Sequence, residues 1–275
     1  MKPLPPANSP ANPASESRVV AGLLEAYSQG WFPMAHPDRL GVDGEPEIEW
    51  VQPRRRAIIP LDDRFHVPRS LAQRVRSGRF TMTTDTAFEG VIRACAAVPR
   101  RDEAGDDAGP TWLASEIIEA FLLLHKHGHA HSIEAWLPLS ETRSPMGARA
   151  RRERTRAQPV TERSIPSTAA ACFPRFSSPH ILVGGLYGLA LGKVFCGESM
   201  FHNADLGGTD ASKVCLVHLV QHLRARGFEL LDAQLANHHT AQFGMYEMPR
   251  EEYLARLAAL SPTPVIWAPF NPIPM

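Results

Sequence analysis

The stretch ILVGGLYGLALGKVFCGESMF, residues 181–201, contains two apolar runs on either side of the tripeptide Ala-Leu-Gly. Two β-rich runs around a short glycine-containing turn predict a β-hairpin. Beyond it, ASKVCLVHLVQHLRARG predicts an amphipathic helix, FELLDAQ a buried strand and PREEYLARLAAL a closing helix. This order of strands and helices predicts an α+β fold, in which the helices pack against a sheet.

The first half of the chain predicts a smaller unit followed by three helices. RVVAGLLEAYSQG has apolar residues at helical spacing, and Gly30 is suited to end the helix. A turn-rich stretch over 31–62 follows, with short strands near Trp50 and Ile58. The segments VPRSLAQRVRSG, TAFEGVIRACAAV and ASEIIEAFLLLHKHG predict three helices, and HAHSIEAWL predicts a strand.

These patterns divide the chain into domains. Residues 1–16, rich in Pro, Ser, Ala and Asn, are predicted to be a disordered tail. Residues 17–64 form a predicted small N-terminal domain, and residues 65–275 form a larger domain that holds the hairpin. Within the larger domain, residues 141–180 contain many arginines and little apolar periodicity, so we interpret them as an inserted loop.

The composition narrows the class of protein. The net charge is zero, so an anionic partner has to be met by local basic patches. The four cysteines include no CxxC pair, which argues against a zinc cluster. The N-terminal residues lack the apolar run of a signal peptide, and no run approaches the roughly 18–20 apolar residues of a membrane span. We therefore expect a cytoplasmic protein that uses neither a metal nor a cofactor.

The second strand of the hairpin carries the first candidate for chemistry. Glu198 lies among apolar residues, where a carboxylate is costly unless a partner meets it. Cys196 is interpreted as a small buried residue, which is the usual role of a cysteine in such a strand. Alternation along the strand predicts two faces. One face would carry Phe195, Gly197 and Ser199, and the other Val194, Cys196, Glu198 and Met200.

A second pair of candidates ends the buried strand that follows. Asp232 and Gln234 are two residues apart, so they are predicted to point from the same face of the sheet. Polar side chains at the carboxyl end of a strand are a common location for a site. An Asx turn that merely ends the strand is an equally good alternative.

Two other patterns have ordinary structural explanations beside functional ones. Arg69 and Arg76 lie seven positions apart on a predicted helix and are suited to contact phosphates, although a solvated helix face is the usual alternative. The four histidines of HKHGHAH span a helix end, a glycine and a strand start, so their rings would diverge. We expect structural or capping roles for them rather than a metal site.

Seven segments, in order along the chain, resemble the leucyl/phenylalanyl-tRNA–protein transferase family. They are AYSQGWFPM, FHVPRSL, PTWL (GTWL in the family), LHKHGHAHSIEAW, LVGGLYGLALGKVFCGESMF, ASK and DAQLANHHTAQFGM. The resemblance runs from about Ala26 to about Leu257 and leaves out residues 141–180. It implies a fold similar to the GCN5-related N-acyltransferases, with a small N-terminal domain added.

The resemblance also implies an activity. The family moves Leu, Phe and sometimes Met from aminoacyl-tRNA to the N-terminus of proteins that begin with Arg or Lys. The partners would be Leu-tRNA, Phe-tRNA and those proteins, which the added residue marks for N-end-rule degradation. Because the aminoacyl ester is already activated, an α-amine can attack it directly. Neither Cys196 nor Ser199 then has to act as a nucleophile.

By resemblance, Asp232 and Gln234 match the family's catalytic pair, in which the glutamine touches the attacking amine and the aspartate polarises the glutamine. Glu198 matches a glutamate suited to hold the acceptor's cationic side chain or its amino group. The terminal adenosine would lie near Trp112 and Met34, although many relatives have a tryptophan where this chain has Met34.

The resemblance further implies how the two halves of the donor are held. Arg69 and Arg76 would contact the acceptor stem of the tRNA. An apolar pocket for the donor side chain would discriminate by size, at roughly 1–3 kcal/mol per methylene. Its predicted lining is Leu186, Phe195, Met200, Leu216, Leu223 and Leu231.

Two other classes of protein compete with this interpretation. A peptidoglycan-type aminoacyltransferase would use the same donor with another acceptor, and a non-catalytic tRNA-binding protein would not need Asp232, Gln234 or Glu198. A coenzyme A-dependent acetyltransferase is disfavoured, because the chain has no [QR]-x-x-G-x-[GA] loop for the pyrophosphate.

Overall fold

The computed structural model describes residues 13–41, 44–98, 113–142 and 178–268. The helices are α1 (Pro13–Ser28), α2 (Arg69–Arg76), α3 (Phe88–Ala96), α4 (Ser115–Lys126), α5 (Ala211–Arg226), α6 (His238–Ala241) and α7 (Arg250–Leu260). The strands are β1 (Phe32–Leu40), β2 (Pro46–Val51), β3 (Arg55–Ile59), β4 (Thr81–Thr84), β5 (Ala130–Pro138), β6 (His180–Leu191), β7 (Val194–His202), β8 (Leu230–Gln234) and β9 (Tyr246–Pro249). A short 3-10 helix covers Leu139–Glu141.

Seven strands form a central sheet in the order β4-β5-β6-β7-β8-β3-β9. Neighbouring strands are antiparallel except β7 and β8, which are parallel and are connected through α5. The parallel pairing covers three positions and ends where Cys196 lies opposite Asp232. The carboxyl ends of β7 and β8 are therefore not bonded to each other. This mixed sheet with helices on it confirms the predicted combination of elements, including the β6–β7 hairpin.

The N-terminal part differs from the prediction in two details. The segment that begins at WFPM is a strand rather than a turn, since β1 pairs antiparallel with β2 in a separate two-stranded sheet. Helix α1 begins at Pro13, within the predicted tail, because proline is well suited to the first turn of a helix. Strand β3, inside the predicted domain 17–64, pairs with β8 and β9 of the central sheet. The boundary of that domain stays a prediction.

Apolar cores lie on both faces of the central sheet. The face covered by α1, α3, α4 and α7 is called the α1 face below, and the face covered by α2 and α5 is called the α5 face. Strand residues alternate between them: Cys196 and Leu230 pack on the α1 face, while Phe195 and Leu231 pack on the α5 face. Among the described residues, no helix has the length and apolar character needed to cross a membrane.

A β-bulge at Glu198 interrupts this alternation in β7. Tyr187 lies opposite Ser199, but the next residue, Gly188, lies opposite Gly197, so Glu198 has no partner position on β6. A bulge adds one residue to a strand and bends it. Glu198 is thereby placed where the parallel pairing of β7 with β8 has just ended.

The bulge corrects the predicted faces of two residues. Glu198 and Ser199 both reach the α1 face, because the extra residue shifts the alternation by one position. Glu198 accepts a hydrogen bond from Tyr27 on α1, and Ser199 lies opposite Tyr187, which packs in the core of that face. Met200 then packs on the α5 face. The prediction that Met200 shares a face with Glu198, and Ser199 with Phe195, was therefore wrong.

Gly188 allows β6 to approach β7 at the bulge. A Cβ atom at this position would overlap the carbonyl oxygen of Cys196 and the ring of Phe195. Both neighbours are buried, so neither can move aside without disturbing the core. By contrast, a Cβ atom at Gly22, on the exposed surface of α1, would meet nothing within 4 Å.

We expect Gly188→Ala and Gly22→Ala to change stability in opposite directions. Gly188→Ala should lower the free energy of unfolding by about 1–3 kcal/mol, because the new methyl group overpacks the core. Gly22→Ala should raise it by about 1 kcal/mol, because alanine favours the helix over glycine. Urea unfolding followed by circular dichroism measures both. Equal midpoints for Gly188→Ala and the unaltered protein would contradict the close packing at the bulge.

Candidate active site

Glu198, Asp232 and Gln234 come together on the α1 face of the sheet, where β7 and β8 cease to pair. Glu198 is the bulge residue of β7, and the other two end β8. The prediction that Asp232 and Gln234 point from the same face agrees with their contacts. Arg56, from the neighbouring strand β3, completes the group.

Asp232 is locked in place by a buried ion pair. It has no exposed surface, and the Nε atom of Arg56 lies 2.9 Å from each of its carboxylate oxygens. The hydroxyl of Tyr253 donates a further hydrogen bond of 2.8 Å to Oδ2. Both oxygens are therefore occupied by donors from β3 and α7, and the aspartate has no free oxygen to offer a substrate.

Arg56 is held as firmly as its partner. Its Nη1 atom donates to the carbonyl oxygen of Gly30 at 3.0 Å, and its guanidinium lies 4.6 Å from the ring centroids of Phe32 and Tyr253. Burial disfavours the charged guanidinium, but Asp232 outweighs this effect and raises the pKa of Arg56 above its ordinary value. Arg56 therefore stays charged and neutralises Asp232.

Asp232 contacts Gln234 through the backbone. The backbone N–H of Gln234 donates to Oδ1 of Asp232 at 2.8 Å. This bond holds Gln234 in the left-handed region, with φ of 61°, a conformation that costs about 1–3 kcal/mol for a residue other than glycine. The aspartate thus sets the direction in which the glutamine side chain leaves the strand.

The side chain of Gln234 instead contacts Glu198. Its Nε2 atom donates to Oε1 of Glu198 at 2.9 Å, and the hydroxyl of Tyr27, on α1, donates to the same oxygen at 2.9 Å. With Nε2 assigned to Glu198 by this network, the amide oxygen of Gln234 is directed away from the carboxylate. No described residue donates to that amide oxygen.

Glu198 has one free carboxylate oxygen. Its Oε2 atom is covered, yet no residue in the described part of the chain forms a hydrogen bond with it. Burial raises the pKa of Glu198 to about 7, although the bonds from Gln234 and Tyr27 act in the opposite direction. This carboxylate can therefore take up and release a proton near neutral pH.

The other residues of the stretch around Glu198 are not suited to nucleophilic attack. Cys196 is fully buried, and burial raises its pKa well above the ordinary value, so the thiol stays protonated. Ser199 forms no hydrogen bond to a histidine among the described residues, and it lies close to the buried thiol of Cys95, whose pKa it acts to lower. Within the described ranges, no group of three His, Cys, Asp or Glu side chains is arranged to hold a metal ion.

Three residues of this site were not singled out as candidates from the sequence. Arg56 was noted only among scattered arginines, Tyr27 only as an apolar residue of the first helix, and Tyr253 only within the closing helix. The one available signal is at Arg56, which directly precedes the buried run Ala57–Ile59 in a short strand. A charged residue at the start of such a run requires a buried partner.

The residues predicted to line a donor pocket share one core. All of them pack on the α5 face, and Phe195 and Leu223 have no exposed surface. The three polar residues of the site lie on the opposite face of the sheet. The six are Leu186, Phe195, Met200, Leu216, Leu223 and Leu231.

The remaining predicted residues lie on other elements or outside the described residues. Met34 is on β1 and packs against the core of the α1 face. Arg69 and Arg76 are exposed on α2 and form no ion pair with the described residues, whereas Arg74 on the same helix is paired with Asp210. Trp112 and most of the predicted loop 141–180 fall outside the described residues.

Comparison with known proteins places the chain in a family. A family model described as leucyl/phenylalanyl-tRNA protein transferase matches residues 58–141 and 169–258, and a model of that family's N-terminal domain matches residues 20–54. Glu198, Asp232 and Gln234 lie within the first model's match and Tyr27 within the second, whereas Arg56 lies between the two matched ranges.

Individual relatives agree with the family models. The leucyl/phenylalanyl-tRNA–protein transferase of Novosphingobium aromaticivorans is 41% identical over 86% of this chain and 68% of its own length. Those of Chlorobaculum parvum and Paramagnetospirillum magneticum are 40% and 41% identical over 86% of this chain and 93% and 86% of theirs. A crystal structure of FemX covers 83% of the chain at 12% identity and a TM-score of 0.45, too low to support an argument. The chain therefore belongs to the leucyl/phenylalanyl-tRNA–protein transferase family of enzymes.

Proposed function

We propose that this enzyme transfers Leu or Phe, and sometimes Met, from aminoacyl-tRNA to the N-terminal α-amine of proteins that begin with Arg or Lys. The family assignment supports transfer from aminoacyl-tRNA to proteins; the donor, the acceptor, the cytoplasmic location and the marking for N-end-rule degradation are our proposal. The observation that carries it is the pairing of the Gln234 amide with Glu198, which leaves one oxygen of each side chain free.

The chemistry requires no covalent enzyme intermediate. The acceptor nitrogen attacks the ester carbon, the new C–N bond forms, and the bond to the 3′ or 2′ oxygen of the tRNA breaks. One proton leaves the nitrogen and one reaches the departing oxygen. With a reference pKa of about 7.7–8.0, the acceptor amine is partly neutral near pH 7, so the enzyme has mainly to position it and move the proton.

Gln234 and Glu198 are suited to these two tasks. The free amide oxygen of Gln234 can accept a hydrogen bond from the amine and direct its lone pair towards the ester. The free Oε2 of Glu198 can accept the proton, because the pKa of this carboxyl is about 7. It can then return the proton to the leaving oxygen, and this sequence leaves the enzyme unchanged.

We propose for Asp232 a role other than the one that the resemblance implied. Its oxygens are held by Arg56, Tyr253 and the backbone of Gln234, and it forms no hydrogen bond with the side chain of Gln234. We propose that it positions Gln234 by fixing its backbone. Polarisation of the amide then comes from Glu198, which accepts its N–H.

The two substrates would approach from different sides. The apolar residues of the α5 face would hold the donor side chain next to the open ends of β7 and β8. The mixed sheet, in which β7 and β8 form the one parallel pair among the described strands, supports the proposed likeness to GCN5-related N-acyltransferases. The terminal adenosine would lie near Met34 and Trp112. Arg69 and Arg76, which are exposed and form no ion pair with the described residues, would contact phosphates of the acceptor stem.

The proposal is tested by a transfer assay that compares the unaltered protein with the variant Gln234→Ala. Purified protein, tRNA charged with labelled Leu or Phe, and peptides beginning with Arg or Ala are combined, and label on the peptide is measured. We expect label on the Arg peptide alone. For Gln234→Ala we expect kcat/KM to fall about 100-fold, because a nucleophile misplaced by about 1 Å reacts more slowly by about this factor.

The control for this assay is Gln242→Ala, which removes a half-buried glutamine whose side chain, among the described residues, bonds to the backbone of His239 alone. It should transfer at the normal rate. Bound tRNA without label on either peptide would instead indicate a tRNA-binding protein or an enzyme with another acceptor, such as a peptidoglycan-type aminoacyltransferase.

The pH dependence provides a second test. Both Glu198, with a pKa of about 7, and the acceptor amine have to lose a proton before attack. Below both pKa values, log kcat/KM should therefore rise with a slope of about 2 per pH unit. In Glu198→Gln only the amine titrates, so the slope should fall to about 1. A slope of 1 in both proteins would rule out Glu198 as the proton acceptor.

The tRNA contacts give a third test. Replacing both Arg69 and Arg76 by alanine should weaken tRNA binding. The plot of log association constant against log salt concentration should become less steep, by about 1 in slope for each arginine. Arg93→Ala is the matched control, because Arg93 lies on α3 and is paired with Glu89 at 2.8 Å. If Arg93→Ala weakens binding as much as the double variant, α2 is not the contact surface.

A further inference from the structure

We infer that Tyr27 is a positioning residue of the transfer reaction: its hydroxyl, together with the amide of Gln234, fixes the Glu198 carboxylate so that Oε2 is the oxygen left for the acceptor amine. The inference rests on the proposed function, because it assigns to Glu198 the role of proton acceptor. It extends the site to α1, which lies outside the sheet that carries the other site residues.

Tyr27 is built into the molecule as a hydrogen-bond donor. It is 1% exposed, and its ring packs edge-on against Phe121 at a centroid distance of 6.4 Å. Burial and the nearby charge of Glu198 raise the pKa of the phenol well above its ordinary value, so the hydroxyl keeps its proton. The hydroxyl therefore acts as a hydrogen-bond donor to Glu198, and this bond stabilises the ionised carboxylate.

Both hydrogen bonds to Glu198 fall on the same oxygen. Tyr27 and Gln234 each donate to Oε1 at 2.9 Å, while Oε2 is covered and unpartnered among the described residues. An arrangement with one donor on each oxygen would satisfy the carboxylate better. The observed arrangement leaves a basic oxygen unused, which is what a proton acceptor requires.

A second link ties the same segment to the other carboxylate. Two residues after α1 ends, the carbonyl of Gly30 accepts a bond from Arg56, and the ring of Phe32 lies against its guanidinium. Arg56 in turn holds Asp232. The short segment 27–32 therefore contributes to the position of both Glu198 and, through Arg56, Asp232.

Glu198 is the group of this cluster that is poised to change its charge near neutral pH. Tyr187 on β6 and Cys196 on β7 face it, and burial raises the pKa of each well above its ordinary value, so both stay neutral. Arg56 and Asp232 neutralise each other. A shift in the acid limb of the pH profile of kcat/KM can therefore be assigned to Glu198 or to the acceptor amine. Because the amine is the same for every variant, a difference between variants is assigned to Glu198.

The test is the pH profile of Tyr27→Phe, which removes the hydroxyl and keeps the ring. Loss of a hydrogen bond to the ionised form should raise the pKa of Glu198 and move its acid limb to higher pH by about one unit. At pH 9, kcat/KM should still be reduced about tenfold, because the carboxylate is less well oriented. KM for charged tRNA should not change.

Two comparisons separate this role from a merely structural one. Tyr246→Phe, at a half-buried tyrosine of β9 beside Arg64, should leave the profile unchanged. In the Glu198→Gln background, Tyr27→Phe should have little further effect on kcat/KM, because residues that act through one another are not additive. Thermal unfolding of each variant checks that the protein is folded.

The inference fails if Tyr27→Phe lowers kcat/KM equally at every pH, or if its effect is the same with and without Glu198. Those outcomes would leave the proposed function intact, provided that the unaltered protein still labels the Arg peptide. Failure of the unaltered protein to label any peptide would instead contradict the proposed function, so the two are distinguished in the same set of assays.

Discussion

The site depends on the buried ion pair between Arg56 and Asp232. Neither side chain has more than 2% of its surface exposed, and the pair joins β3 to β8, with further contacts to α7 and to the turn after α1. Removing one partner of such a pair leaves an uncompensated buried charge and typically costs about 3–5 kcal/mol. Two central strands and two peripheral elements are thereby held in one relative position.

The ion pair fixes the two reactive side chains, Gln234 and Glu198, through a chain of hydrogen bonds that begins at Asp232. Asp232 holds the backbone of Gln234 in a left-handed conformation, and that conformation directs the amide to Glu198 rather than along the strand. Glu198 can meet it because a bulge places the carboxylate beyond the last paired position of β7 and β8. The strain at Gln234 is of the kind that persists only where surrounding bonds enforce it.

The sequence was sufficient to predict the local features but not the long-range pairings. The β6–β7 hairpin, α5 and the shared face of Asp232 and Gln234 follow from periodicity within short windows. Tyr27 and Glu198 are 171 positions apart, and Arg56 and Asp232 are 176 apart, so no local pattern predicts their contact. The bulge depends on the register between two strands, which is why the face of Met200 was predicted wrongly.

The division between the two faces of the sheet has a consequence for how substrates would meet. Polar groups that can handle a proton lie on the α1 face, and the apolar residues suited to a donor side chain lie on the α5 face. The parallel pairing of β7 with β8 ends at Cys196 and Asp232, two residues before Glu198 and Gln234. We propose that the ester binds beside this point, with its side chain towards the apolar residues of the α5 face and its carbonyl beside Gln234 and Glu198.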